Sequence, residues 1–355
     1  MGARFDQVAS LTAELHWGIL STADIGRRKV IPAMQKARRC RVVAIGSRDI
    51  AAARDVAAEQ GIPRAYGSYG ALLADPDVDA VYIPLPNHLH LEWTLAAARA
   101  GKHVLCEKPL ALSSADAREM VAACERAGVR LMEAFMYRLH PSWVAVREMV
   151  AAGRIGRLMA VQSWFSYFND DPTNIRNILD VGGGALYDIG CYCVNLSRML
   201  FGGEPSAVRG SILRDPLLGV DVLTSAILVF GAGTATFTCS TRTETDQRVH
   251  VYGTEGRISI GIPFNIPPDR QTEVFVSAGG DPPAVPHTDR VVFEPVDPYT
   301  VQAETFAEMV LDGIEPPFPT ADAVGNASVI ERIFADAEGV SHPVARSRSP
   351  SSRLK

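Results

Sequence analysis

No apolar run in this chain approaches the ~20 residues that cross a bilayer. The start, Met1-Gly-Ala-Arg-Phe-Asp-Gln7, lacks the apolar core of a secretory signal. A net charge of −5 leaves no basic footprint for nucleic acid or an anionic membrane. Cysteine is scarce, six residues at 40, 106, 124, 191, 193 and 239, and no Cys-x-x-Cys occurs. Most sit in apolar segments, so they read as reduced core thiols of a cytoplasmic protein. Cys191-Tyr192-Cys193 has no partnering histidine spacing, so no metal is expected.

What is present alternates. Strands are expected at 16–21, 41–46, 79–83, 104–106 and 129–132, with helices at 25–37, 49–61, 69–74, 91–100 and 113–127 between them. Asp49 reads as a helix N-cap, and Gly61, Gly101 and Gly128 as helix stops. Such alternation predicts a doubly wound parallel sheet of Rossmann type. Beyond about residue 137 the pattern changes. Helices at 141–151 and 184–201 accompany eight strand-like runs between 158 and 294, two pairs of them joined by glycine turns, Gly231-Ala-Gly233 and Gly253-Thr-Glu-Gly256. This predicts an α+β region with a large, open, mostly antiparallel sheet. The chain thus divides into an extension at 1–14, a Rossmann domain at 15–136, an α+β substrate and oligomerisation domain at 137–340 and a disordered tail at 341–355. Two closing helices, 299–312 and 320–337, are free to pack back on the first domain.

The turn after the first strand, Ser21-Thr22-Ala23-Asp24-Ile25-Gly26, has the spacing of Gly-x-Gly-x-x-Gly but keeps only the last glycine. Small Ser21 and Ala23 let a pyrophosphate approach backbone N–H groups at a helix start, and Gly26 would allow close helix–strand packing. The acidic residue that NAD enzymes place at the end of the second strand is missing. Ser47 and Arg48 stand there, with Arg27 and Arg28 nearby. A hydroxyl and a guanidinium suit a 2′-phosphate, so NADP is expected over NAD. The strand at 79–83 runs into Pro84, Leu85, Asn87 and His88, neighbours for the ribose or nicotinamide, with His90 read as structural. The strand at 104–106 delivers Glu107, Lys108 and Pro109 to a sheet end where ligands bind, and the proline aims the lysine.

The chain resembles the glucose–fructose oxidoreductase / inositol dehydrogenase (Gfo/Idh/MocA) family. The resemblance rests on Trp17-Gly-Ile-Leu-Ser-Thr-Ala-Asp-Ile-Gly26, Pro86-Asn-His-Leu-His90 and Gly101-Lys-His-Val-Leu-Cys-Glu-Lys-Pro109. It continues in Glu133-Ala-Phe-Met-Tyr-Arg138 and Gly182-Gly-Gly-Ala-Leu-Tyr-Asp-Ile-Gly-Cys-Tyr192. It implies a catalytic lysine at Lys108, a proton-transferring tyrosine at Tyr192 and an acidic partner at Asp188. Asp188 and Tyr192 at i and i+4 would share a helix face, and Gly182 to Gly184 would let backbone approach a ligand. Tyrosine at 192 resembles the branch with aldose 1-dehydrogenases, glucose–fructose oxidoreductase, dihydrodiol dehydrogenases and deoxysugar ketoreductases, and the Ser21–Gly26 turn with Asp171-Pro-Thr-Asn-Ile-Arg-Asn177 looks most like NADP-dependent sugar 1-dehydrogenases.

The resulting expectation is hydride transfer between NADP and a sugar CH–OH, most simply the anomeric carbon of an aldopyranose, giving a lactone. Lys108, Asn174, Arg176, Asp188 and Tyr192 would bind the substrate, with Asn177 in the same polar loop and Arg138 and His140 as second-tier candidates. Ser21 to Gly26, Ser47, Arg48, Pro84, Leu85, Asn87, His88, Glu107 and Lys108 would bind the cofactor. The alternatives are a ketoreductase for a nucleotide-linked deoxysugar and a non-catalytic NAD(P) or sugar-binding regulator. A homodimer or homotetramer through the open sheet is expected.

Overall fold

The computed structural model describes residues 13–278 and 287–338. Most of the expected extension, and all of the tail at 341–355, lie outside the described residues. Strands β1 (Leu15–Leu20), β2 (Cys40–Gly46), β3 (Arg64–Tyr66), β4 (Ala80–Ile83), β5 (His103–Cys106) and β6 (Leu131–Glu133) form one sheet in the order β3-β2-β1-β4-β5-β6. Every pairing in it is parallel. The order reverses between β1 and β4, which opens a crevice at their carboxyl ends. Strand β3 was not expected. Its three residues are all half-buried and carry no apolar alternation to read.

Local signals set the connections. Asp49 accepts from Ala51 N and Ser113 from Asp116 N, each starting a helix. Gly61 and Gly128 end those helices in the left-handed conformation at φ 65° and 68°. The first helix differs from its expectation. It opens with a π-helical turn, Gly26–Val30, before the α-helical Ile31–Lys36.

The second sheet holds β7 (Leu158–Phe168), β8 (Ala207–Arg214), β9 (Asp221–Phe230), β10 (Gly233–Ser240), β11 (Arg242–Gly253), β12 (Gly256–Ile260), β13 (Thr272–Ala278) and β14 (His287–Phe293). Their order is β14-β13-β12-β11-β7-β10-β9-β8. Only β7 and β10 pair in parallel; the other neighbours are antiparallel. One face packs the helix Cys191–Phe201 into a core that includes Phe165, Phe237 and Phe264. The helix Pro298–Leu311 returns to the first sheet, where Phe306 packs on Trp17 with ring centroids 5.1 Å apart. The last helix, Asp322–Glu338, gives Ala323 and Ala327 to one core and Val329, Ile330 and Ile333 to the other. It therefore ties the two sheets together and fixes the groove between them.

Candidate active site

A cleft of about 650 Å³ opens at the carboxyl ends of β1, β4 and β5. Its walls come from both halves of the chain, including Ala23 to Ile25, Pro84, Leu85, Asn87, Glu107 and Lys108 from one side and Tyr167, Asn174, Arg176, Asp188 and Tyr192 from the other.

Lys108 is delivered by β5, and its peptide bond to Pro109 is cis. Its Nζ donates to the Asp188 backbone oxygen at 2.6 Å and lies 3.4 Å from Asp188 Oδ1. The same ammonium lies over the Tyr192 ring, 5.0 Å from its centroid. Asp188 Oδ2 accepts from the Tyr167 hydroxyl at 2.5 Å and from Arg176 Nε at 3.0 Å. Burial alone would raise the Asp188 carboxyl, but Lys108, Arg176 and the Tyr167 hydrogen bond hold it down at about 2. Burial, the largest single influence, opposes the charge of Lys108, but Asp188, Cys191 and Glu107 together outweigh it and raise the lysine above its ordinary value.

Tyr192 stands in different surroundings. Its ring packs against Phe135, Tyr137, Phe165 and Phe264 at centroid distances of 5.0 to 5.7 Å. Its hydroxyl reaches only Met136 Sδ, at 3.8 Å, among the described residues. Burial, with Tyr299 and Glu107 adding to it, pushes the phenol well above its ordinary value.

The amino-terminal part of the chain, residues 15–135, matches the oxidoreductase family with an NAD-binding Rossmann fold, and residues 143–259 match the GFO/IDH/MocA C-terminal domain. The chain belongs to the GFO/IDH/MocA oxidoreductase family. It is 42% identical to D-xylose 1-dehydrogenase (NADP(+)) 2 of Haloferax volcanii over 91% of this chain and 97% of that one. A 3-ketoreductase from Actinomadura kijaniata, crystallised with NADP and TDP-benzene, superposes with a TM-score of 0.84 at 31% identity, covering 91% of this chain and 98% of that one. An aldose-aldose oxidoreductase from Caulobacter crescentus, crystallised with glycerol, also gives 0.84, at 28% identity and 92% and 98% coverage.

In this family member the backbone at the end of β1 fits a dinucleotide. Ser21 takes φ 154°, a conformation glycine enters freely, and its Oγ accepts from Ala23 N at 3.0 Å. The helical bonds begin with Arg27 N to Ala23 O at 3.0 Å, so the amides of the first turn precede the ladder, beside the cleft wall of Ala23, Asp24 and Ile25. Gly26 is not needed for packing: a Cβ there would stand 3.7 Å from Pro84 and Tyr82, ordinary contact. Ser47 and Arg48 follow β2, whose Gly46 is in register with Leu20. Arg48 is exposed and has no ion-pair partner among the described residues, whereas Arg27 is held by Glu59 and Arg28 lies near Asp24. Asp49 is committed to its cap.

Several expected site residues stand elsewhere. Arg138 is buried outside the cleft, paired with Asp322 at 2.7 Å and stacked on the Phe318 ring. Asp322 and Phe318 lie nearly two hundred residues downstream, so no local signal showed this. His88 is exposed on the turn Asn87–Leu89 and is not among the cleft-lining residues. His140 is buried as the cap of the helix Pro141–Ala151. Asn177 is buried and braces its own loop against Asn169 and Arg242. Asn174 lines the cleft while its side chain accepts from Arg176 N.

Asp188 and Tyr192 line the same cleft but do not hydrogen-bond to each other. The segment Leu186–Gly190 is π-helical, so the i, i+4 alignment slips by about one residue. The glycines ahead of it answer mainly to the chain itself. A Cβ on Gly184 would meet Asp221 Oδ1 at 1.9 Å, and one on Gly183 would meet two backbone oxygens at 2.7 Å. Tyr167 and Tyr299 were missed. Tyr167 is next to last in β7, where the register with β11 shifts, so the expected strand gave no sign that this side chain lines the cleft.

Proposed function

We propose that this enzyme transfers hydride between NADP and the CH–OH of a sugar, with an aldopyranose oxidised at its anomeric carbon to a lactone. The observation that carries the reading is the placement of a charged lysine over the ring of a buried tyrosine on a cleft wall facing the β1 turn. The likeness to a D-xylose 1-dehydrogenase that uses NADP(+) supports it. The Ser21–Gly26 turn would hold the pyrophosphate, Ser47 and Arg48 the 2′-phosphate, and Pro84, Leu85, Asn87 and Glu107 the nicotinamide end. NADP supplies the hydride acceptor when bound.

Lys108 donates to the substrate oxygen and stabilises negative charge as it develops there. Tyr192 handles the hydroxyl proton: as the phenolate it takes that proton when the CH–OH is oxidised, and as the phenol it returns it to the carbonyl oxygen in reduction. Asp188 keeps Lys108 charged, and Arg176 extends the donor set toward the mouth. Because the Tyr192 phenol is held protonated, it is also suited to give a proton to a carbonyl. That favours the second reading, reduction of a keto group on a nucleotide-linked deoxysugar, the kind of reaction for which the similar dTDP-3,4-didehydro-2,6-dideoxy-α-D-glucose 3-reductase of A. kijaniata is named.

Among the described residues no helix is long and apolar enough to cross a membrane. A cytoplasmic location is supported by six free, buried cysteines. Assembly through the outer face of the second sheet is supported by exposed Ile227, Val229, Met159 and Phe275, and is tested by light scattering in solution. A panel of aldoses and keto-sugars, read by reduced-nicotinamide absorbance, tests the function. Turnover of nucleotide-linked ketones alone would overturn the aldose reading. Arg48→Ala should raise KM for NADP about tenfold and leave that for NAD unchanged. An unchanged NADP KM would remove Arg48 from the site.

A further inference from the structure

The turn that carries Lys108 is gripped from behind by three polar side chains, Tyr82 and His90 buried and Glu133 half-buried. The Tyr82 hydroxyl donates to Glu107 Oε1 at 2.6 Å. The imidazole of His90, fully buried, lies between the Pro109 and Leu85 oxygens at 3.0 and 2.8 Å. Glu133 Oε1, at the end of β6, accepts from Leu110 N at 2.7 Å. That is the only hydrogen bond of the Glu133 side chain among the described residues, and its Oε2 is buried without a partner. Arg138, Arg198 and Asp322 face the carboxyl from beyond, and burial pushes it up to about 7. A carboxylate placed at such cost, with one bond, has its effect where that bond is.

We propose that Glu133 is a positioning residue for the reaction: by holding Leu110 N it fixes the turn two residues from Lys108, and so the height of the ammonium against Asp188 and Tyr192. The inference rests on the role given to Lys108 above. Leu110 is buried, so its N–H has no solvent to turn to if the grip is lost. A shift of about 1 Å at a reacting group costs on the order of 10²-fold in rate.

Glu133→Gln keeps an oxygen at the Oε1 position without the charge. Glu133→Asp keeps the charge and withdraws the oxygen by one methylene. If the bond matters, E133Q retains kcat within about threefold, while E133D loses about 10- to 100-fold. NADP affinity by titration should be unchanged in both. The alkaline limb of the kcat–pH profile should move in E133D, as Lys108 loses register with Asp188, and stay in place in E133Q. Thermal unfolding confirms that both variants are folded. A folded E133D with wild-type kcat and profile overturns the proposal, and a loss in E133Q beside an active E133D would mean that the charge rather than the bond is used; an equal loss in both overturns it too, because the site would then answer to any change of this side chain and not to the bond. Lys108→Met, run alongside, separates the two failures. Near-wild-type turnover in K108M removes the role of the lysine itself; an inactive K108M beside an active E133D removes only that of Glu133.

Discussion

Lys108 and Tyr192 face each other across 5.0 Å, yet they are held by opposite means. The ammonium sits in a web of charge and hydrogen bonds: Asp188, with Tyr167 and Arg176 on the same carboxylate. The phenol sits among aromatic rings, with only a thioether at its hydroxyl. The web keeps the lysine charged in a buried place, and the dry ring cluster keeps the tyrosine neutral. The difference teaches that the two residues answer differently to mutation of their surroundings. The lysine depends on specific partners. The tyrosine depends on shape.

The largest expected effect separates them from the rest of the cleft. Lys108→Met should lower kcat by about 10²–10⁴ while NADP still binds, measured by steady-state kinetics and cofactor titration. Tyr192→Phe should follow with about 10² in kcat. Near-wild-type turnover in both would end the comparison as a catalytic one.

Asp188→Asn sharpens the lysine side. Without the carboxylate, burial is left to lower the Lys108 pKa, so the loss of activity with rising pH should begin at a lower pH than in the wild type. An unmoved alkaline limb would mean that Asp188 is not what keeps the lysine charged. The smallest effect sharpens the tyrosine side. Because its hydroxyl makes no strong bond, Tyr192→Phe should change unfolding free energy by less than about 0.5 kcal/mol in denaturant titration. A loss above about 1 kcal/mol would show that the hydroxyl is held by something other than Met136.

Legibility followed the range of the interactions. Caps and stops such as Asp49, Ser113, Gly61 and Gly128 were readable because each acts within a few residues. Alternation in the second sheet was readable because one of its faces is a core, as in β9, where Ala226 and Leu228 are buried while Ile227 and Val229 are exposed. The π-helical turns at Gly26–Val30 and Leu186–Gly190 were not, since one inserted residue barely alters an apolar pattern. The fate of Arg138 was closed to sequence reading because both its partners arrive with the last loop and helix.

By itself, the chain determined which groups exist at strand ends: the Ser21–Gly26 turn, Arg48 in place of an acid, and Glu107-Lys108-Pro109 after a buried strand. Periodicity and turn chemistry are local, so they survive in one dimension. Tertiary structure alone decided which of those groups meet. It brought Asp188 from eighty positions away onto Lys108, took Arg138 out of the cleft to Asp322, and set Glu133 behind the lysine's own turn. A buried charge must find its counter-charge wherever packing allows, and packing is settled by the whole core.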